Sequence, residues 1–381
     1  MRILQILTYY RPHISGLTIY VERLSRGLIR AGHTVTILTS QYDPSLSLHE
    51  ERDGVQIVRV PVAFRLSKGV IMPGFGNVAR RLMRSHDIVH MHLPQFDGAG
   101  LSINARLLHK PTILTYHCDI LLPPGLLNKI TMPAIHSANH LAAHLADRLV
   151  TYTDDYARHS PFLSHYLDKV TIIPPPVEIE PPDSQCVVEF ANRFGLHTHP
   201  VIGMVARLAT EKGVEVLVDA LEIIRQTRPN ACVLFAGPYQ HVLGEERYAR
   251  RVLDKLAKVD THWTFTGSLQ GQELAALYAN CDVTVLPSLN STESFGLVQV
   301  ESMLCGTPSV CSNLPGVRVP VQTTGMGLVA PIGDAPGLAQ AILQVVDERN
   351  RFVRPRNEIG QIYSTAKSVR EYELLYTELT T

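Results

Sequence analysis

The chain predicts an α/β protein built from two doubly wound, parallel-sheet domains, and three observations carry this. Apolar strand-like runs alternate with helix-like segments along nearly all of the 381 residues. The scheme runs through once and then repeats. A proline-rich run, residues 174–182, separates the two passes.

In the first pass, strands are predicted at 3–7, 34–39, 56–60, 87–92, 112–117, 148–153 and 170–173. Helical patterns fall between most of them. The first, residues 17–30, sets Val21, Leu24, Leu28 and Ile29 on one stripe before Ala31 and Gly32 close it. The second pass predicts strands at 201–206, 231–236, 263–266, 283–286 and 309–312, and its clearest helix, 214–225, keeps the 3.6-residue period through Val214, Leu217, Val218, Leu221 and Ile224. Prolines 174, 175, 176, 181 and 182 continue neither a helix nor a central strand, so they read as a semi-rigid linker. The domains are therefore placed at 1–175 and 176–360, with a C-terminal segment 361–381. The helix at 365–379 is too amphipathic to be a tail and is expected to dock back across the domain junction toward the first domain. Ligands of such sheets bind at the carboxyl ends of the strands, and two facing sheets make an interdomain cleft.

Bulk charge excludes some partners. Lys+Arg and Asp+Glu both number 35, so long-range attraction to nucleic acid is not supported. The balance is uneven: residues 1–174 hold 18 cations against 12 anions (+6), the remainder 17 against 23 (−6), and 13 of the 17 histidines lie in the first part. A basic first half favours an anionic membrane surface or an anionic acceptor. The six cysteines show no framework spacing, and the first residues read as a strand rather than a signal peptide, so the cytoplasm is the simplest home. No apolar run approaches the roughly 20 residues that span a bilayer; membrane contact, if made, is peripheral, on the inner face.

Glu293 and Glu301 flank the start of a segment that reads as a helix, just after the apolar strand at 283–286. Backbone N–H groups at that start, from Ser294 through Phe295 and Gly296 to Leu297, are unpaired donors at the positive dipole end and suit a diphosphate. Gly296 lets the chain come close. Glu293 can accept hydrogen bonds from sugar hydroxyls, and Glu301 lies roughly 7 Å along the axis from the helix start at 1.5 Å per residue, about the separation of a diphosphate from its ribose. The helix is otherwise apolar and leaves little solvent face for two solvated charges. Arg207 and Lys212, just beyond the first strand of the second domain, are placed to neutralise a departing diphosphate, although Glu211 beside Lys212 leaves room for a solvated turn. Gly16 opens the first helix and lets backbone approach a phosphate or acceptor, or serves only as a turn. His117 and Asp119 end a strand of the first domain, where a histidine either orients a ligand or caps the strand.

Four stretches together, TESFGLVQVESMLCGTPSV (292–310), GMVARLATEKGVEVLVDAL (203–221), YYRPHISGLTIYVERLSRGLIRAGHTVTILT (9–39) and TILTYHCD (112–119), resemble the retaining glycosyltransferases of family 4, which have the GT-B fold. The resemblance runs through nearly all of the chain. It implies a hexosyltransferase that moves a sugar from a nucleotide-diphosphate sugar to the hydroxyl of a lipid, glycan or small molecule, with an acceptor-side first domain and a nucleotide-sugar-binding second domain. It implies His117, Glu293, Arg207 and Lys212 as the catalytic set: Glu293 on the donor sugar, Arg207 and Lys212 on the diphosphate, His117 on the sugar near the reacting face. Glu301 then binds the ribose, and Gly267 and Leu269 line the nucleobase. No cofactor and no metal are implied, because cations and a helix N-terminus take the place of a divalent ion. Configuration is retained, the departing phosphate oxygen takes the acceptor proton, and no carboxylate nucleophile stands out. The chain departs from the family at Ser15-Gly16, where two glycines are usual, and at Pro174-Pro175-Pro176-Val177, where Pro-Asn-Gly-Val is usual.

Rival features remain. Gly74, Gly76 and Ala79, with Asp97 further on, fit a dinucleotide pattern, but the preceding segment is a poor strand. His136, His140 and His144 share a helix stripe, and His90 with His92 a strand face, as metal ligands or as satisfied histidines. The apolar loop 121–127, with Arg65, Lys68, Arg80, Arg81 and Arg84 in the same domain, is either a lipid-facing surface or core. A sugar-nucleotide epimerase of GT-B fold and a non-catalytic sugar-nucleotide-binding module are the alternative functions.

Overall fold

The structure, a computed structural model, describes residues 1–66, 69–121, 126–197, 200–240, 242, 244–259 and 262–381. These form two compact units, Met1–Pro176 together with Ser364–Thr381, and Val177–Tyr363.

The first unit carries strands β1 (Arg2–Ile6), β2 (Thr34–Gln41), β3 (His49–Arg52), β4 (Val55–Pro61), β5 (Phe64–Leu66), β6 (Gly69–Ile71), β7 (Ile88–Leu93), β8 (Thr112–Tyr116), β9 (Arg148–Thr151) and β10 (Val170–Ile172). Between them run α1 (Gly16–Arg30), α2 (Phe75–Ser85), α3 (Gly98–Leu107), α4 (Leu126–Leu145) and α5 (Asp154–His159). Eight strands form one sheet in the order β10-β9-β8-β7-β1-β2-β4-β3, while β5 and β6 pair as a separate antiparallel ribbon. The central strands of that sheet are buried on both faces and mostly apolar, with Gln5, His90 and His92 the polar interruptions in β1 and β7. The sheet is not wholly parallel, however: β3 runs antiparallel to β4 at the edge. The cause is local, since Asp53 and Gly54 both take positive φ, the two-residue turn that turns a chain back on itself.

The second unit carries α6 (Ser184–Phe194), β11 (Val201–Val205), α7 (Val214–Arg225), β12 (Cys232–Ala236), α8 (Glu246–Val259), β13 (Trp263–Gly267), α9 (Gly271–Asn280), β14 (Val283–Leu286), α10 (Leu297–Leu304), β15 (Ser309–Ser312), α11 (Val319–Thr324), β16 (Gly327–Ala330), α12 (Ala335–Asp347), α13 (Arg349–Phe352) and α14 (Arg356–Ile362). Its six strands are all parallel, in the order β13-β12-β11-β14-β15-β16. The last strand, four residues with no alternation of apolar and polar side chains, is absent from the sequence expectation.

Each sheet reverses its winding once. In the first unit the reversal lies between β1 and β7, and in the second between β11 and β14. Open α/β sheets bind ligands outside the carboxyl ends of the strands at such points. The final helix, α15 (Thr365–Thr380), is capped by Ser364 and packs on α1 of the first unit, where Tyr372 and Tyr376 are fully buried.

Candidate functional site

The carboxyl ends of β11 and β14 hold most of the residues singled out in the sequence. The segment after β11 runs from Ala206 to Gly213 and that after β14 from Pro287 to Gly296, and the two are in direct contact. Leu289 N–H donates to the Glu211 carbonyl at 2.9 Å. Gly213 has φ +65°, and a Cβ there would lie 2.0 Å from the Pro287 carbonyl oxygen, so only glycine allows this approach. As a result Lys212 Nζ stands 2.5 Å from Glu293 Oε2 with both side chains largely buried. Arg207 pairs instead with Glu211 at 2.5 Å and remains 45% exposed.

Helix α10 starts at Leu297, two residues later than Phe295. Gly296 is its N-cap, with φ +82°, and no side chain caps the first turn. A Cβ on Gly296 would meet Leu286 Cδ2 at 2.3 Å. Phe295 turns its ring inward, edge-on to Tyr363; its backbone alone lies at the helix start. Glu301 is 5% exposed and accepts from the Tyr278 hydroxyl at 3.2 Å, so it is not a solvated helix-face charge. At the far end of α10, Arg356 donates to the Leu304 carbonyl at 2.5 Å and Arg349 to that of Gly306 at 3.2 Å, cations that suit the negative dipole end. Ser294 is buried in the turn before the helix. Gly267 ends β13 and Leu269 follows it, both partly exposed; β12 and β11 lie between β13 and β14, and Tyr239 stacks on Phe265 of β13 with centroids 4.3 Å apart.

Sequence reasoning missed Glu245. It is 7% exposed, and one carboxylate oxygen accepts from both the Thr210 N–H (3.0 Å) and the Thr210 hydroxyl (2.7 Å), holding the segment that carries Arg207 and Lys212. No signal near Glu245 announces this, because its partner lies 35 residues earlier.

In the first unit, Gly16 is the first residue of α1, behind Ser15. Ser15 Oγ accepts from Thr18 N–H while Thr18 Oγ1 accepts from Ser15 N–H, a capping box that explains a serine where the family has a second glycine. A Cβ on Gly16 would meet nothing within 4 Å. His117 is buried with both ring nitrogens engaged, Nε2 by His92 Nδ1 at 3.0 Å and Nδ1 by the Tyr152 hydroxyl. Burial pushes its pKa down to about 3, so the ring is neutral. Neighbouring His90 is likewise held at about 3 by burial, then by His117, and His92 well below its ordinary value by burial, then by His90 and His117. Helix α15 completes this cluster: Tyr376 OH meets His90 Nδ1 at 2.8 Å, and Tyr372 OH bridges Thr115 Oγ1 (2.8 Å) and Tyr20 OH (2.6 Å). Asp119 accepts from the hydroxyls of Tyr116 (3.0 Å) and Ser160 (2.7 Å).

The rival features resolve on geometry. Helix α2, which contains Gly76 and Ala79, follows the antiparallel ribbon β5-β6 rather than a parallel strand, so the dinucleotide reading fails. Among the described residues no group of three or more His, Cys, Asp or Glu side chains could hold a metal ion; His140 hydrogen-bonds the Tyr166 hydroxyl at 2.8 Å. Leu121 is exposed, while Lys68 and residues 122–125 of the apolar loop lie outside the described residues. No helix among the described residues is long and apolar enough to cross a membrane.

Known proteins agree with this architecture. The profile of the Glycosyltransferase Family 4 matches residues 14–181, and that of the Glycosyl transferases group 1 matches 189–361. An uncharacterized glycosyltransferase of Methanocaldococcus jannaschii is 28% identical over 331 residues, covering 83% of this chain and 82% of the relative. A GDP-mannose-dependent alpha-(1-6)-phosphatidylinositol monomannoside mannosyltransferase of Mycobacterium tuberculosis is 25% identical over 374 residues, covering 92% and 91%. Anabaena HepE, solved in complex with UDP-glucose, superposes with a TM-score of 0.81 at 18% identity over all of both chains. Two doubly wound units together with these matches define a GT-B glycosyltransferase. The chain belongs to the family 4 type and uses nucleotide sugars.

Proposed function

We propose that the protein transfers a hexose from a nucleotide-diphosphate sugar to an acceptor hydroxyl with retention of configuration and without a divalent metal. The observation that carries this is the Lys212–Glu293 pair beside the uncapped start of α10, at the winding reversal of the second sheet. The bond between the anomeric carbon and the β-phosphate oxygen breaks as the acceptor oxygen bonds that carbon on the same face. The acceptor proton passes to the departing phosphate oxygen. Arg207, Lys212 and the α10 N–H groups offset the charge that develops on the diphosphate. Glu293 accepts from sugar hydroxyls, Glu301 from the ribose, and Gly267 and Leu269 line the base; His117, its Nδ1 exchanging the Tyr152 hydroxyl for a substrate hydroxyl, meets the sugar near the reacting face and, with backbone near Gly16, orients the acceptor.

For the acceptor we favour a membrane lipid, reached from an anionic surface by a cytoplasmic, peripherally bound protein. Helices α2, α3 and α4 lie side by side, α2 on α3 and α3 on α4. They expose Arg80, Arg81, Arg84 and Arg106 together with Ile103, Leu107 and Leu141. Each basic residue near an anionic leaflet contributes roughly 1 kcal/mol before screening. The phosphatidylinositol monomannoside named for one relative is such an acceptor.

Thermal shift with UDP-, GDP- and ADP-sugars identifies the donor, and transfer in excess chelator tests the metal. Activity lost on chelation and restored by manganese or magnesium would overturn the metal-free reading. Donor consumed with no acceptor product would make the protein an epimerase, and binding without turnover a non-catalytic module. Vesicle sedimentation at low and high salt decides between a lipid and a soluble acceptor.

A further inference from the structure

We propose that Gln5 is a positioning residue which, through His92, fixes the tautomer of His117. The inference rests on the reading that His117 orients the acceptor. Gln5 is fully buried between Leu4 and Ile6 of β1, where an amide has to be satisfied internally. Its Nε2 donates to Ser25 Oγ on α1 at 3.0 Å, which leaves Oε1 as the atom facing His92 Nε2, also at 3.0 Å. A carbonyl oxygen only accepts, so His92 carries its proton on Nε2. A neutral imidazole has one such proton, and His92 Nδ1 is therefore an acceptor. It faces His117 Nε2 at 3.0 Å, so His117 is protonated on Nε2, and its Nδ1 accepts from the Tyr152 hydroxyl.

Only one other arrangement of protons satisfies every link. With the Gln5 amide turned over, Ser25 donates to Oε1, Nε2 donates to His92, and His117 carries its proton on Nδ1, donating to Tyr152. The orientation of one amide and the polarity of the Tyr152 hydroxyl are thus a single variable, transmitted across β1, β7 and β8 to the first residue beyond β9. His90 stands outside the chain, since Thr115 Oγ1 (2.7 Å) and Tyr376 OH (2.8 Å) hold its two nitrogens.

The test is the imidazole nitrogen spectrum of histidine-15N protein, read beside kinetics. Wild type is expected to show His117 protonated on Nε2 alone. Gln5→Met, close in shape but without an amide, is expected to show both tautomers and a kcat lowered by about tenfold, the worth of one hydrogen bond, with donor KM unchanged. Should that variant fail to fold, Ser25→Ala frees the amide with a smaller change and is expected to show the same mixture. A single Nε2 tautomer in every folded variant, or Nδ1 protonation in wild type, overturns the proposal. Mixed tautomers at unchanged kcat overturn the acceptor role of His117, whereas full transfer activity in Lys212→Ala overturns the donor reading and leaves the tautomer result standing.

Discussion

The two units place their polar groups under opposite conditions. At the carboxyl ends of β11 and β14, opposite charges pair: Lys212 with Glu293, mostly buried, and Arg207 with Glu211, partly exposed. At those of β7, β8 and β9, neutral rings and hydroxyls saturate one another in a fully buried network. A near-surface ion pair can exchange its partner for a phosphate or a sugar hydroxyl with little reorganisation. A buried network loses a hydrogen bond for each partner it gives up, so each exchange costs more there than at the ion pairs of the second unit.

Acid separates the two most strongly. His90, His92 and His117 have folded pKa values depressed below the ordinary value near 6.5, so the unfolded chain binds more protons as pH falls between there and about 3. Their stabilising contribution is whole above about pH 6.5 and declines below it. Hydrogen exchange at about pH 4.5 is expected to show the amides of β7 and β8 losing protection before those of β11 and β14. Equal loss in both units would break the comparison.

In the second unit the large effect is on chemistry. Lys212→Ala is expected to lower turnover about 100-fold, the order found when one group stabilising a developing anion is removed. Glu293→Gln is expected to lower it too. Because the two side chains are in contact, the double variant should fall short of the sum of the single effects, and strict additivity in steady-state kinetics would remove the assignment.

Backbone geometry comes next in size. Gly213→Ala forces positive φ and a collision with Pro287, and should cost about 2 kcal/mol or more, with weakened donor binding. Gly267→Ala, at positive φ but with open space around it, should cost only about 1 kcal/mol. A pair of melting curves compares them.

How far the sequence could be read follows the same division. The strand ends, the glycine at the start of α10 and the carboxylates on either side of it are legible because their meaning is local: a strand, a turn, a helix, in that order. The β3-β4 hairpin is local too, in Asp53-Gly54, yet four polar residues in β3 hide the strand. The buried network is different. Gln5, His90 and His92 interrupt apolar strands, which marks them as polar groups needing partners, but the partner of His90 on α15 is 286 residues away. A spacing rule finds helix faces and strand faces; it does not find which two faces will meet. For that reason His117 reads in the sequence as a ring that either orients a ligand or caps the strand, and stands in the fold with both ring nitrogens hydrogen-bonded.

The smallest expected effect tests whether the exposed pair is poised for exchange or is itself the binding unit. Glu211→Gln removes the charge that Arg207 faces at 2.5 Å while leaving the Glu211 backbone, which anchors Leu289, in place. Arg207 is 45% exposed, so the pair contributes at most about 0.5 kcal/mol to stability, and Tm should barely move. If the guanidinium must leave Glu211 to reach a diphosphate, removing that competitor should tighten binding of a nucleoside diphosphate by about two- to threefold, and the gain should shrink with added salt as exposed charges are screened. Calorimetric titration at two ionic strengths reads both. Binding weakened by the substitution would mean that Glu211 holds Arg207 in its working position, and the second unit would then resemble the first, a network that keeps its geometry by keeping its partners.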